Sequence, residues 1–198
     1  HEINNALAPL SSMAYSGKKL AKEDPKLIKI FDTISERTKH LNQFIQGYSR
    51  FAKLPQPRIG QIDWHSFVTS LQEQFDFSHS NPKAIHRVFA DSAQLEQVIT
   101  NLIKNAQESE SPSDDICLAI DQEDLWVHIT LCDRGKGMNE HVLKNALLPC
   151  YSTKQEGTGL GLALCREIVE AHNGRIKLFN RVNGGLEVKI SLPNEGKI

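Results

Sequence analysis

The chain has 198 residues, which is enough for one large domain or two small domains with a hydrophobic core. Its formal charge is −1, with 23 basic and 24 acidic residues, and this balance argues against a nucleic-acid-binding surface. We expect no signal peptide from the first residues given, and the sequence has no apolar run of the roughly 18 residues that a bilayer span requires.

The four cysteines form no C-x-x-C pair, so we expect free thiols in a reducing compartment. The chain begins with His1 rather than with Met. We therefore expect a fragment of a longer protein, located in the cytoplasm, with any membrane anchor upstream of the fragment.

Two helices are predicted at the start of the chain. The first runs from His1 to about Lys22 with Pro9 inside it, and Glu23-Asp24-Pro25 ends it. The second carries an apolar heptad repeat made of Leu27, Phe31, Ile34, Thr38, Leu41, Ile45, Tyr48 and Ala52. Because a hairpin of two such helices cannot bury this seam alone, we predict a dimeric four-helix bundle. A hairpin that packs on its own globular domain is the alternative.

A proline-rich linker, Leu54-Pro55-Gln56-Pro57, is predicted next, because proline blocks continuation of the helix. It divides the chain into residues 1–54 and residues 58–198. The second part has an α+β pattern. Its predicted strands lie near residues 59–62, 85–89, 116–120, 125–131, 176–181 and 186–192, and its predicted helices near residues 64–77, 91–109 and 160–171. Residues 134–159 are predicted to form a long loop, of the kind that often serves as a lid, with a short helix near residues 142–147.

Three alternate glycines, Gly157, Gly159 and Gly161, stand immediately before the last predicted helix. Such a loop lets the backbone approach a bulky anion, and the helix N-terminus supplies unpaired N–H groups and a partial positive charge. The pattern predicts a phosphate-binding site, with a flexible loop that binds nothing as the alternative.

The predicted helix near residues 91–109 has an apolar face and, beside it, a polar stripe made of Gln97, Asn101, Asn105 and Glu108. Asparagine is a mediocre helix former, so two of them one turn apart indicate another role. Their carboxamide oxygens are suitable ligands for Mg²⁺ beside phosphate oxygens. A solvated helix surface is the alternative.

The segment Asp133-Arg134-Gly135-Lys136-Gly137 follows an apolar strand. A carboxylate at the end of a buried strand can accept a hydrogen bond from an exocyclic amine such as adenine N6. An ordinary turn is the alternative for this segment by itself.

Five motifs occur in one order along the chain: His1-Glu2-Ile3-Asn4-Asn5, Asn101-x-x-x-Asn105, Asp133-x-Gly135-x-Gly137, Pro149-x-Tyr151-x-Thr153-Lys154 and Gly157-x-Gly159-x-Gly161. Each motif is weak alone, but the ordered set is highly specific. It resembles the H, N, G1, F and G2 boxes of two-component sensor histidine kinases and covers essentially the whole chain. The style of the first and last boxes is similar to that of the nitrogen-regulation branch.

The resemblance implies a helical hairpin that forms a dimeric four-helix bundle, followed by an α/β sandwich ATP-binding domain of the Hsp90, gyrase and histidine-kinase type. ATP and Mg²⁺ are the implied cofactors. The implied catalytic residues are His1 as phosphoacceptor, Glu2 as its acidic neighbour and Asn5, which orients water for dephosphorylation of a partner. The implied nucleotide-binding residues are Asn101, Asn105 (also the metal ligand), Asp133, Gly135, Gly137, Lys154, Gly157, Thr158, Gly159, Leu160 and Gly161.

The implied function is ATP-dependent autophosphorylation of His1, followed by transfer of the phosphoryl group to an aspartate of a response regulator. The chain departs from the family pattern at Ala6, where proline is usual, at Arg134, and at Leu148 and Tyr151, where phenylalanines are common. Two alternatives of other classes are an Hsp90-like or mismatch-repair-like ATPase that gates dimerisation, and an inactive scaffold that binds a regulator.

Overall fold

Two long helices open the computed structural model, which describes residues 2–21, 24–154 and 157–194. Helix α1 spans Glu2–Leu20 and helix α2 spans Pro25–Ala52. The carboxylate of Asp24 caps α2 by accepting from the Lys26 N–H at 2.9 Å, so the predicted break lies where the next helix begins. The two helices form a hairpin whose register is marked by an ion pair between Lys18 and Asp32.

The heptad positions of α2 divide into two rows. In the row that packs on α1, the ring of Phe31 lies where a side chain on Gly17 would be, and Thr38 is buried. The other row is 40–51% exposed in the single chain and consists of Leu27, Ile34, Leu41 and Tyr48. The hairpin therefore packs Phe31 and Thr38 internally and leaves the second row on its surface.

The rest of the chain is a mixed sheet with helices on one face. Its elements are β1 (Gly60–Asp63), α3 (Trp64–Gln72), β2 (Ser78–Ser80), β3 (Arg87–Ala90), α4 (Ser92–Glu108), β4 (Cys117–Glu123), β5 (Trp126–Cys132), α5 (Glu140–Asn145), α6 (Gly161–Ala171), β6 (Arg175–Asn180) and β7 (Leu186–Pro193). The main sheet has the strand order β2-β4-β5-β7-β6, and β1 pairs with β3 in a small antiparallel sheet.

Alternation along the strands explains which face is covered. On β5 the side chains of Val127, Ile129 and Leu131 are buried, while the intervening residues are half-buried on the opposite face. The buried faces of α3, α4 and α6 join them in one core. An α+β architecture follows: a helical N-terminal region, then a helix-covered sheet.

The structure corrects two sequence expectations and adds one strand. The helix predicted to run to Phe77 ends at Gln72, and Phe77 reaches the core from the following loop. Strand β2 was not predicted because Ser78-His79-Ser80 has no apolar alternation, and it forms only by parallel pairing with β4. The β4–β5 turn lies at Asp124-Leu125 rather than at residues 121–124, since Asp124 adopts the left-handed conformation, with φ 51°.

All four cysteines are free thiols, as expected. Cys165 on α6 is fully buried, and burial raises the pKa of its thiol to about 12. Within the described ranges, no helix combines the length and the apolar character needed to cross a membrane.

Candidate functional site: a cavity between α4, the sheet and the lid

A cavity of about 570 Å³ lies between α4, the ends of the central strands, and the segment that joins α5 to α6. Residues 146–154 of this segment are called the lid here, and residues 157–161 the glycine loop. Nine of the sequence-predicted binding residues line the cavity: Asn101, Asn105, Asp133, Gly137, Lys154, Gly157, Thr158, Gly159 and Gly161. Three stretches that are far apart in the chain, at residues 101–105, 133–137 and 154–161, therefore meet around one space.

Asp133 is the buried charged residue of the cavity, with 4% of its surface exposed. Its Oδ1 accepts from the backbone N–H groups of Gly135 and Leu186, at 2.9 and 3.1 Å. No described residue donates to its Oδ2. The carboxylate is thus oriented by one oxygen and keeps the other available to an incoming donor.

The turn after Asp133 packs on the C-terminal end of α4. The Arg134 N–H donates to Ser111 Oγ at 3.0 Å, and the Lys136 N–H donates to the Ser109 carbonyl at 3.2 Å. Gly135 sits so close to Ser109 that any side chain there would collide with its hydroxyl. Gly135 therefore does not line the cavity; it packs behind Asp133.

Helix α4 presents its polar stripe to the cavity. Asn101, Asn105 and Glu108 all line it, one turn apart. On its buried side α4 is linked to α6, because the Cys165 thiol donates to the Val98 carbonyl at 3.8 Å. Helix α4 begins with Asp91 as N-cap, whose Oδ1 accepts from the Gln94 N–H at 3.1 Å.

The glycine loop leads into α6, which starts at Gly161. Gly159 has φ +67°, and a side chain there would lie 2.6–2.7 Å from backbone atoms of Cys150 and Tyr151. The loop and the lid are therefore in backbone contact, which only glycine allows. Leu160 is buried and does not line the cavity, so its side chain serves the core.

The lid carries the charged contact of the cavity. Lys154 Nζ lies 2.5 Å from Glu108 Oε2. Its backbone is held by a local turn, in which the Lys154 N–H donates to Ser152 Oγ and the Gly157 N–H donates to the Lys154 carbonyl. Further along the lid, Tyr151 Oη lies 3.1 Å from His141 Nδ1 on α5.

Sequence reasoning missed the apolar wall of the cavity, made of Leu131, Met138, Val142, Ala146, Leu186 and Val188. For Leu131, Leu186 and Val188 a signal existed, since these residues occupy core-facing positions at strand ends. Met138, Val142 and Ala146 gave none, because they lie in or beside the short helix of the long loop and meet the cavity only through tertiary folding.

The predicted H-box residues stand at the start of the chain. His1, and the side chains of Glu2 and Asn5, lie outside the described residues. The backbone of Glu2 and Asn5 belongs to the first turns of α1.

The donor groups of the cavity bear on the Mg²⁺ expected from the sequence. No group of three or more His, Cys, Asp or Glu residues that could hold a metal exists among the described residues. Mg²⁺ in nucleotide sites typically keeps several waters and takes one or two protein ligands plus phosphate oxygens. The carboxamides of Asn101 and Asn105, which line the cavity, are donors of the type that such a metal takes.

The helix-covered sheet and its cavity define an ATP-binding domain, and sequence comparison gives the family. The model of histidine kinase-, DNA gyrase B- and HSP90-like ATPases matches residues 90–196, more than half of the chain. The chain therefore belongs to this family of ATPases.

Sensor proteins are among the relatives within this family. The chain is 30% identical, over 98% of its length, to the C4-dicarboxylate transport sensor protein DctS of Rhodobacter capsulatus. It is 28% identical, over 96% of its length, to a putative sensor histidine kinase, NtrY-like, of Rickettsia bellii. The chain covers 32% and 33% of these two proteins, about a third of their length.

Solved structures agree with the fold. The nucleotide-free catalytic domain of histidine kinase ThkA is 26% identical, with a TM-score of 0.63, over 71% of this chain and 98% of that domain. ThkA in complex with response regulator protein TrrA gives a TM-score of 0.69 at 21% identity, over all of this chain and 60% of that one, which bears on the fold alone. These findings confirm the α+β fold class and the resemblance to a sensor histidine kinase transmitter core; the NtrY-like relative fits the nitrogen-regulation-like branch.

Proposed function

We propose that this chain is a protein-histidine kinase core that binds ATP in the cavity and phosphorylates His1. The observation that carries the proposal is the convergence of Asp133, the pair Asn101 and Asn105, and the glycine loop on one cavity. An acceptor carboxylate, metal-binding carboxamides and a helix N-terminus are the three groups that an adenine, a metal ion and a triphosphate require.

Each residue is given one role. Asp133 Oδ2 accepts from the adenine amine, while its Oδ1 is held by two backbone N–H groups. Asn105 and Asn101 hold Mg²⁺ and the phosphates, and Lys154, Thr158 and the glycine-loop backbone contact the phosphate chain. Bound Mg²⁺ supplies neutralisation of the charge that develops on the phosphoryl oxygens.

The proposed phosphorylation takes place at the start of the chain. The usual pKa of histidine, about 6.5, leaves an imidazole mostly neutral at pH 7. One ring nitrogen of His1 attacks the γ-phosphorus, the bond to the bridging oxygen breaks, and ADP leaves. Glu2 hydrogen-bonds to the other ring nitrogen and stabilises the positive charge that develops on the ring. Positioning and charge neutralisation supply most of the rate, as in phosphoryl transfer generally.

The proposed domains are residues 1–54, for dimerisation and phosphotransfer, and residues 58–198, for ATP binding. The exposed row of α2 is the proposed dimer seam, because four large side chains at heptad spacing remain 40–51% exposed in the single chain. The proposed partner of phosphorylated His1 is a response-regulator receiver domain, of the kind that accompanies ThkA in its complex. A cytoplasmic location for this part of the protein is proposed with it.

The test is incubation of the dimeric chain with γ-labelled ATP and Mg²⁺. We expect a labelled protein whose label is lost in acid and retained in base, and no label on the His1→Gln variant. An ATPase that gates dimerisation would release labelled phosphate without labelling the protein. An inactive scaffold would do neither, and either result would contradict the proposal.

We propose a second role on the same helix, dephosphorylation of the regulator with Asn5 orienting the water. Asn5 lies four residues after His1 in the sequence, a spacing that places two side chains on one face where the chain is helical. We expect Asn5→Ala to leave labelling of His1 largely intact but to slow loss of phosphate from the regulator, and Glu2→Ala to depress the labelling step. Equal rates of regulator dephosphorylation in Asn5→Ala and wild type would show that Asn5 is only a surface residue.

A further inference from the structure

Glu108 has no assigned role in the site, yet its carboxylate makes the closest charged contact in the cavity. Four charged residues line the cavity: Lys104, Glu108, Asp133 and Lys154. Asp133 Oδ1 accepts from backbone N–H groups of its own turn and of β7, whereas Glu108 and Lys154 contact each other across the space between α4 and the lid.

The position of Glu108 puts its charge on the metal and phosphate side of α4. It stands three residues after Asn105 and seven after Asn101, so the three side chains follow one stripe of the helix. A lone carboxylate there would repel a triphosphate. Paired with Lys154 at 2.5 Å, it instead brings a cation of the lid to the phosphate side of the cavity.

Lysine needs such a partner more than most residues do. Its long side chain loses rotamer entropy when it is fixed in one position, and its ammonium has three donors, of which one carboxylate need occupy only one. Both side chains remain accessible, at 43% for Lys154 and 58% for Glu108, so the ammonium can still meet an anion.

We infer that Glu108 is a positioning residue for nucleotide binding: it holds the Lys154 ammonium at the phosphate side of the cavity before the triphosphate arrives. The inference rests on the proposed function. It predicts that Glu108, although negatively charged, favours the binding of a negatively charged ligand, and does so only through Lys154.

A second ion pair at the same end of α4 provides a matched control. Lys136 Nζ lies 2.5 Å from Glu110 Oε1, and this pair is 72% exposed on both sides. Neither of its residues lines the cavity. Glu110→Gln therefore removes the same charge, from a similar ion pair, without touching the nucleotide site.

The experiment is displacement of a fluorescent ATP derivative from the full chain, with a non-hydrolysable ATP analogue plus Mg²⁺ as one competitor and AMP as the other. We expect Glu108→Gln to weaken binding of the triphosphate analogue about two- to five-fold, the size that a partly exposed ion pair supports. AMP binding should be unchanged, and Glu110→Gln should behave as wild type toward both competitors.

The Lys154→Gln background isolates the cause. Without the ammonium, Glu108→Gln should no longer weaken binding and should strengthen it slightly, because only the repulsion of the carboxylate remains to be removed. Two results would overturn the inference. The first is triphosphate binding by Glu108→Gln that is as tight as in wild type or tighter. The second is the same loss of affinity in the Lys154→Gln background, which would make Glu108 a direct metal ligand.

Failure of the proposed function would give a different result. The wild-type protein would then bind neither competitor, and both the proposed function and the inference would be wrong. Unchanged thermal unfolding of Glu108→Gln would verify that the substitution leaves the fold intact.

Discussion

The two oxygens of Asp133 have different roles, one structural and one in ligand binding, and mutation can separate these roles. Oδ1 accepts two backbone N–H groups and so closes the turn onto β7, while Oδ2 has no donor among the described residues. A replacement for Asp133 can therefore keep the structural role and lose the role in binding.

The first prediction uses that separation. Asp133→Asn retains an oxygen for the two N–H groups but turns an amide toward the adenine amine, so two donors face each other. We expect near-native stability with a loss of nucleotide affinity of tenfold or more. Asp133→Ala should lose both structural bonds as well and cost about 1–3 kcal/mol of unfolding free energy. Urea unfolding and titration with an ATP analogue measure the two effects.

Asn105 provides the contrast within the same cavity. Asn105→Ala should leave the adenine end untouched and alter the Mg²⁺ dependence of ATP-analogue binding, whereas Asp133→Asn should lower affinity at every Mg²⁺ concentration. Unchanged affinity in both variants would contradict the assignment of this cavity to ATP.

At the scale of elements, the turn of the β6–β7 hairpin packs against the backbone of Asp133. Gly184 and Gly185 both have φ +93°. A side chain on Gly185 would lie 2.0 Å from the Asp133 carbonyl oxygen, whereas one on Gly184 would meet only the Gly135 carbonyl oxygen, at 3.6 Å. The turn is thus in direct backbone contact with the strand end that carries Asp133.

The second prediction compares these neighbours. Gly184→Ala should cost about 1–2 kcal/mol, for a left-handed residue that bears a side chain. Gly185→Ala has the same strain plus the collision, so it should cost several kcal/mol and also reduce nucleotide binding. Thermal unfolding of the two variants measures the difference. Equal losses would mean that the hairpin can move away from Asp133 without cost.

The N-terminus of α4 holds the linker to the ATP-binding domain. The Arg58 N–H donates to Asp91 Oδ2 at 2.9 Å, and Gln94, which is 6% exposed, donates from Nε2 to the Pro55 carbonyl at 2.9 Å. His172 at the end of α6 accepts from the Asp91 N–H at 2.9 Å. The proline-rich segment is therefore fastened to α4, the helix that also carries Asn101 and Asn105.

The third prediction concerns pH. Burial opposes ionisation of Asp91, but hydrogen bonds from the Arg58 and Gln94 N–H groups, together with nearby His172, hold the pKa of Asp91 below its usual 3.8. A carboxylate with a lowered folded-state pKa contributes stability that is present above its unfolded pKa and is lost as pH falls through the folded value. Asp91→Asn should therefore cost about 1 kcal/mol near neutral pH, because its amide would face the Arg58 N–H. The difference in unfolding free energy between wild type and Asp91→Asn, measured by urea unfolding, should become smaller below pH 3.8. A difference that stays constant down to pH 3 would mean that the charge of Asp91 contributes nothing to stability.

At the scale of the whole molecule, the hairpin and the ATP-binding domain should respond independently to a change in the seam. Leu41 belongs to the exposed row of α2, whereas Phe31 and Thr38 belong to the row that packs on α1. The two rows separate association from hairpin folding.

The fourth prediction is that Leu41→Glu produces monomers that still bind ATP analogue, since a dimer would bury two unpaired carboxylates. Light scattering and nucleotide titration report the two properties. Lys39→Glu, at an exposed position outside the repeat, introduces the same residue and should leave the dimer intact. A dimer that persists in Leu41→Glu would show that other contacts hold the two chains together.

The sequence by itself determined the elements whose signal is local. Apolar repeats of period 3.6 or 2 located α2, α4, α6 and the central strands, because each such element buries one face wherever it packs. Glycine spacing and the Asn101 and Asn105 pair located the cavity residues, because close backbone approach and a helical stripe are properties of a few neighbouring residues.

Tertiary structure alone decided the rest. Strand β2 forms only because its backbone pairs with β4. Phe77 is part of the core although it lies in a loop and not in a helix. The division of the α2 heptad into two rows depends on where α1 lies, and the Lys154–Glu108 contact joins residues 46 positions apart. No local pattern encodes such pairs, since each is defined by the distance between two elements after both have packed on the core.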